Sequence, residues 1–215
     1  MNKIKLMDFV KKEKQNYILE YENNSPFISI RSLQKNPEKI DSISSKQGYY
    51  KWWASKSGIE KILKKMNIKG ISFEEIRDHL EYNDKEKVFC VYVGKSGNLH
   101  NRIKTHLIPI LYRSTLRNTI GCLEKKVRNA EKVINNSIEE YIKDYKITCC
   151  PTDKTFLKKV GCKSLGSLEK FLIRRKLHIL NIDGNTYDGC EEKGAFVEFK
   201  ETKKIVTRLK ELREC

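Results

Sequence analysis

Two stretches of the chain hold residues whose types and spacing suit work on a phosphate. From Lys95 to Arg117 there are five cations (Lys95, Arg102, Lys104, Arg113 and Arg117), two histidines (His100 and His106) and no acid. Arg102 and His106 are four residues apart, so on a helix they share one face, just beyond a turn at Gly94. A cation beside an acid/base group can offset charge growing on a phosphate and move a proton there. The plainer reading is a solvated basic helix with a surface histidine. The second stretch runs from Asp153 to Asp183, between which the only acid is Glu169, surrounded by Lys158, Lys159, Lys163, Lys170, Arg174, Arg175 and Lys176. A lone carboxylate in that setting can hold a hard cation through oxygen while its neighbours attract a polyanion. The plainer alternative is a surface glutamate in ion pairs with its own helix.

Tyr50 and Tyr92 each fall in or beside a stretch of strand propensity, where an aromatic residue most often packs in the core. The order of the whole set is more specific than any member. Gly48-Tyr49-Tyr50, followed by Lys51-Trp52-Trp53, resembles the first motif of GIY-YIG nucleases, with Tyr49 in the usual aliphatic place and Tyr50 in the third motif position. Tyr92-Val93-Gly94-Lys95-Ser96 resembles the second motif. Arg102 follows Gly94 by 8 positions and His106 follows four later, as the family's arginine and histidine do. Leu168-Glu169 through Ile173 resembles the metal-binding helix, and Asn181, 12 beyond Glu169, matches a family asparagine. The resemblance runs from Gly48 to about Asn181. The motif tyrosines are 42 residues apart, wider than the family's short hairpin, so residues 54–87 read as an insertion at its tip.

This resemblance implies an α/β (α+β) fold with a small, largely antiparallel three-stranded sheet flanked by helices, and it implies metal-dependent hydrolysis of phosphodiesters. Glu169 would hold Mg²⁺ or Mn²⁺. Tyr50 would act as general base, its pKa brought down from about 10 by Arg102, the metal or His106. Arg102 would stabilise the transition state, and Tyr92 and Asn181 would position water, phosphate or Glu169. Lys95 and Ser96 would contact phosphate from the turn, with Lys104, Arg117, Lys163 and Arg174 as further nucleic-acid contacts. The expected role is a restriction-type endonuclease. A repair or structure-specific nuclease, or a binding protein that keeps the scaffold without activity, stands as the alternative.

Composition agrees with a nucleic-acid partner. The 215 residues carry 44 Lys and Arg against 28 Asp and Glu, a formal charge of +16. Such a balance favours a polyanion, here double-stranded DNA, although a merely lysine-rich surface would give the same number. The seven cysteines are scattered with no C-x-x-C, which speaks for reduced thiols, a cytoplasmic setting and no zinc knuckle. No signal sequence or membrane-length apolar run is expected. A homodimer stays open.

The elements that must hold these residues follow from periodicity. The expected organisation is an N-terminal arm or extension over 1–45, a nuclease core over 46–190 and a C-terminal strand and helix over 191–215. A loose helical period covers 1–24, with a short strand at Phe27–Ile30 and another opening at Gly48. Ile59, Ile62, Leu63 and Met66 mark a helix, and Ser72 with Glu75 has capping-box spacing for a second. This αα-hairpin carries 8 basic and 7 acidic residues between Ala54 and Lys87, too neutral for a DNA-reading element. Val88–Val93 is the clearest strand, almost wholly apolar and so central. Asn98 caps a helix to about Leu107, with Pro109 closing it. A helical face runs from Leu116 through Ile120, Leu123 and Val127 to Ile134, with further helix to Tyr145. Another helix spans about Ser164–Lys176. Gly184 and Gly189 mark a loop, Ala195–Phe199 a last strand and Lys203–Leu212 a last helix.

Overall fold

The structure, a computed structural model, describes residues 3–107, 116, 119, 120, 123, 144–182, 189–192 and 195–214. Its centre is an antiparallel sheet of five strands in the order β1-β5-β2-β4-β3. The long strands are β2 (Gly48–Ala54), β4 (Val88–Ser96) and β5 (Lys146–Pro151), with β2 in the middle. Two-residue strands flank them: β1 (Ile28–Ser29) pairs with β5, and β3 (Tyr82–Asn83) pairs with β4. The expected three-stranded sheet is therefore enlarged to five. The physical reason is edge pairing. The segment before β2 and the insertion after it each donate a short strand to an otherwise open edge, where unpaired backbone groups invite pairing. The strand β5 itself had no sequence signal, since Lys146 to Pro151 lacks alternation and follows a helical pattern.

Both faces of the sheet are covered. All seven residues of β2 are buried, and its alternation sends them into two cores. Tyr50, Trp52 and Ala54 join one core with Phe89, Val91, Tyr92, Leu99 and Ile103, while Tyr49 and Trp53 join another with Cys90, Val93, Leu168 and Leu172. The first core is roofed by α3 (Lys56–Met66), α4 (Phe73–Ile76) and α5 (Leu99–Leu107), and α8 (Thr202–Glu214) packs there too through Ile205 and Leu209. The second is roofed by α1 (Lys3–Asn23), α6 (Lys154–Lys159) and α7 (Leu165–Arg175). A short helix α2 (Ile30–Lys35) and a 3-10 turn at Pro37–Ser42 lead into β2.

Local signals explain the helix ends. Ser55 caps α3 by accepting from Gly58 N, and Ser72 and Glu75 form the expected capping box on α4. The Asn98 carboxamide accepts from Asn101 N at 2.9 Å and starts α5. Ser164 and Ser167 cap α7 reciprocally. The apolar face of α3 buries Ile59, Ile62, Leu63 and Met66, each contributing about 1.5–3 kcal/mol.

The C-terminal expectations hold for β7 (Ala195–Glu198) and α8, but Gly189 opens a strand, β6 (Gly189–Glu192), where a loop was expected. Its pairing with β7 makes a separate two-stranded sheet. Leu116, Ile120 and Leu123 are helical and buried, as their spacing predicts. Pro109, Arg113, Arg117, Val127, Ile134 and Gly184 lie outside the described residues. Among the described residues, no helix is long and apolar enough to cross a membrane.

Candidate active site

The site is built from one strand pair and one helix. Tyr50 faces Gly94 across the β2–β4 ladder, and Trp52 faces Tyr92. Beyond that pair the register slips, so that Trp53 faces Cys90 and Val91 is the extra residue of a β-bulge. The bulge puts Val91 and Tyr92 into the same core, beside Tyr50, and gives β4 a local bend at the site. The segment after α7 then runs along β4, with Leu180 N donating to the Val91 carbonyl at 2.9 Å.

The motif glycines are required by close approach. A Cβ on Gly94 would stand 2.5 Å from both Cζ and Oη of Tyr50 and 2.9 Å from Tyr92 Cε1. The Tyr50 ring thus lies over the bare backbone of its cross-strand partner. A Cβ on Gly48 would run into the Cys150 carbonyl and would come within 2.8 Å of Leu99.

Helix α5 carries Arg102 and His106 onto the Tyr50 hydroxyl. Arg102 Nε donates to Tyr50 Oη at 3.1 Å, and His106 Nε2 lies 2.8 Å from the same oxygen. The Tyr92 ring lies beside that of Tyr50, with centroids 6.1 Å apart, and Tyr50 and Arg102 both act on its hydroxyl. His106 is buried, with its ring against Tyr50 and edge-on to Trp52, so it is not the surface histidine of the plainer reading. Tyr49 points the other way. Its hydroxyl donates to Glu22 at 3.0 Å, in the core shared with Phe156. Tyr50, not Tyr49, meets the arginine and the histidine.

Burial pushes the Tyr50 hydroxyl well above the ordinary tyrosine range, the Tyr92 hydroxyl adds to the rise, and Arg102 opposes it without prevailing. The Tyr92 hydroxyl is raised too, first by burial. A Tyr50 made acidic by Arg102 is therefore not what the protein alone provides. The phenol stays protonated at neutral pH, and His106 Nε2, 2.8 Å away, is a built outlet for its proton. Arg102 already donates to the oxygen, so with Nε2 unprotonated the Tyr50 O–H can point at the imidazole.

Glu169 sits on α7, over the other core, with a partly exposed carboxylate. Its Oε2 is 2.9 Å from the Lys95 ammonium, which comes from the end of β4. Its negative charge adds a little to the rise in the Tyr92 hydroxyl, after burial. Glu169 is partly exposed and its lysine partner is half exposed and displaceable, so the carboxylate fits a Mg²⁺-type ion that takes its other oxygens from water and phosphate.

The remaining sequence-predicted residues fall around this centre. Asn181 is buried and clasps β4, its Oδ1 accepting from Val93 N at 2.9 Å and its Nδ2 donating to the Val93 carbonyl at 2.8 Å. It thereby fixes the strand between Tyr92 and Gly94. Ser96 Oγ closes the turn after β4, donating to the Asn98 carbonyl at 2.7 Å and accepting from Asn98 N at 3.0 Å. Lys104, Lys163 and Arg174 are exposed on α5, before α7 and on α7. Arg117 lies outside the described residues.

A second charged cluster was not read from the sequence. Lys51 is fully buried under the Tyr49 side of β2, its ammonium 2.6 Å from Glu22 and 2.6 Å from Glu81. The available signal was Lys51 itself, set between aromatic pairs in a strand otherwise all apolar. Glu22 comes from α1 and Glu81 from the insertion, so one lysine ties both additions to the central strand. Opposite charges outweigh burial and raise the Lys51 ammonium further. For Glu81, burial acts upward, but Lys51 and His178 outweigh it and bring the carboxyl to about 2. Glu81, Cys90 and His178 offer ligand atoms within 4.8 Å of one another. That set fits a metal poorly. Lys51 is already the cation on Glu81, and burial, reinforced by Glu81, keeps the Cys90 thiol protonated.

A family comparison bears directly on this arrangement. The model of the GIY-YIG catalytic domain matches residues 48–205, most of the chain. No curated protein and no solved structure matches. Nucleases of this family act on DNA and generally depend on a divalent metal. The chain belongs to the GIY-YIG family and is an endonuclease that hydrolyses phosphodiester bonds.

Proposed function

We propose that the protein cuts double-stranded DNA as a restriction-type enzyme, with Tyr50, Tyr92, Arg102, His106, Glu169 and Asn181 as its working site and Mg²⁺ or Mn²⁺ as cofactor. The observation that carries this reading is the convergence of Arg102 Nε and His106 Nε2 on one phenol oxygen, at 3.1 and 2.8 Å. Tyr50 is a proton relay here. As water attacks phosphorus, the water proton passes to Tyr50 Oη while the Tyr50 proton passes to His106 Nε2; the bond to the leaving oxygen breaks, and that oxygen, released as an alkoxide, takes a proton from solvent. This relay never requires a free phenolate, in keeping with the raised hydroxyl. Arg102 offsets the charge gathering on the phosphoryl oxygens. Glu169 would hold the cation, which when bound supplies Lewis-acid polarisation of the phosphate and leaving oxygen. Asn181 acts through β4, keeping Tyr92 and Gly94 in place.

Lys95, Lys104, Lys163, Arg174 and Arg117 are proposed to meet the DNA backbone. The restriction role leans on the additions around the core. Helix α1, the α3–β3 insertion and α8 enlarge a small domain on several sides, and such additions can carry sequence recognition or a homodimer contact. The test is digestion of a defined plasmid with Mg²⁺, with and without EDTA. Discrete fragments that vanish with EDTA are expected. Cuts confined to flaps or branches would replace the restriction role with repair, and EDTA-resistant cleavage would remove the metal.

A further inference from the structure

We propose that Lys95 is a placeholder for the cation at Glu169, and that DNA opens this carboxylate to metal by drawing Lys95 away. The proposal rests on the reading of Glu169 as the metal ligand. Three observations carry it. The Lys95 ammonium lies 2.9 Å from Glu169 Oε2, so the only carboxylate of the α7 region is already engaged by a monovalent cation. The ammonium reaches it over Gly166, where a Cβ would stand 3.1 Å from Nζ. Gly166 and Glu169 are three apart and share a helix face. A glycine inside an eleven-residue helix is unfavourable relative to alanine, and its bare surface here leaves the lysine tip unhindered. Lys95 is also 43 % exposed, so its ammonium has room to swing into solvent.

The position is electrostatically poor for a lysine. Gly166 lies in the first turn of α7, the positive end of the helix dipole, where cations are disfavoured and anions welcome. Among the described residues, Glu169 is the ion-pair partner that holds the ammonium there. A divalent ion on Glu169 would repel it. A phosphate brought to the end of β4 would offer it a second anionic partner and free the carboxylate. Metal and DNA would then bind with positive coupling, each raising the affinity for the other by the same factor.

The test is a Mn²⁺ titration, read by the resonance signal of free Mn²⁺, of wild type, Lys95→Met, Glu169→Gln and the exposed control Lys158→Met, with and without an uncleavable DNA duplex. Without DNA, Lys95→Met should bind Mn²⁺ about fivefold or more tightly than wild type, within the usual range of coupling between two sites. Lys158→Met should match wild type. With the duplex bound, the difference between wild type and Lys95→Met should disappear. Equal affinities without DNA would overturn the placeholder, and a difference that DNA leaves undiminished would overturn the coupling. Wild-type Mn²⁺ binding by Glu169→Gln would instead remove the metal assignment on which the proposal stands. The three variants change partly or fully exposed side chains, and circular dichroism checks that they fold like the wild type.

Discussion

Tyr50 lies flat across Gly94, its cross-strand neighbour, so closely that one added methyl on Gly94 would meet the hydroxyl oxygen at 2.5 Å. The glycine of the second motif and the tyrosine of the first are therefore one packing unit. Gly94→Ala should swing the ring off Arg102 and His106. Cleavage should fall by about 10² or more, since a misplaced group loses most of its effect, whereas DNA affinity should hold. Steady-state rates beside a filter-binding curve decide it, and near-normal cleavage would show that the ring can move aside without cost.

Tyr50→Phe removes only the hydroxyl on which the two α5 side chains converge. A loss of about 10²–10⁴-fold in rate is expected, with a folded protein. Tyr49→Phe should cut DNA normally and lose about 1 kcal/mol of stability, because its hydroxyl serves Glu22 on the opposite face. A dead Tyr49→Phe with an active Tyr50→Phe would reverse the assignment.

Lys51→Met should leave Glu22 and Glu81 buried together without their shared cation, costing about 3–5 kcal/mol at neutral pH. The pH dependence should shift toward acid stabilisation. In the wild type the pair is split: Lys51 and His178 bring the Glu81 carboxyl to about 2, so its contribution is complete above pH 4.5 and fades as pH falls toward 2, while burial holds the Glu22 carboxyl above its ordinary range, with the opposite sign. In the variant both carboxyls would be raised by burial and by each other, so protonation relieves the fold and stability rises as pH drops from 7 toward 5. Melting temperatures across that range separate the two; a variant that simply tracks the wild-type curve would contradict the buried network.

Asn181→Ala should leave Val93 N and its carbonyl without their buried partner, at a cost of about 2 kcal/mol. The rate should fall while the DNA dissociation constant stays put, because the residue acts by holding β4. Asn181→Asp, which cannot donate to the Val93 carbonyl unless protonated, should fall between the two. If the alanine variant is as stable as the wild type, the clasp is not what the residue contributes.

The +16 charge should show in salt dependence. For roughly five phosphate contacts, log K for duplex DNA should fall with log salt at a slope of about −4 to −5. Lys163→Ala and Arg174→Ala should each flatten it by about 0.9 and weaken all sequences alike. Salt-insensitive binding would assign these cations to a solvated surface instead.

The sequence by itself determined the strands and helices whose signals are local. The aromatic strand at Gly48, the apolar strand at Val88, the capping box at Ser72 and the amphipathic faces of α3 and α7 all follow from periodicity or short-range hydrogen bonding. The motif order also marked Tyr50, Arg102 and His106 as a set, and Arg102 and His106, four apart on a helix, necessarily share a face. Tertiary structure alone decided the rest. Which tyrosine faces α5 depends on the register of β2 against β4, and register is a long-range property. The strand β5 exists because β2 offers it an edge, not because Lys146–Pro151 is strongly strand-forming. Lys51 became a buried tie because Glu22 and Glu81, 29 residues before and 30 after it, arrive on the same face. Pairings over such separations depend on where the chain returns, and no local pattern carries that information.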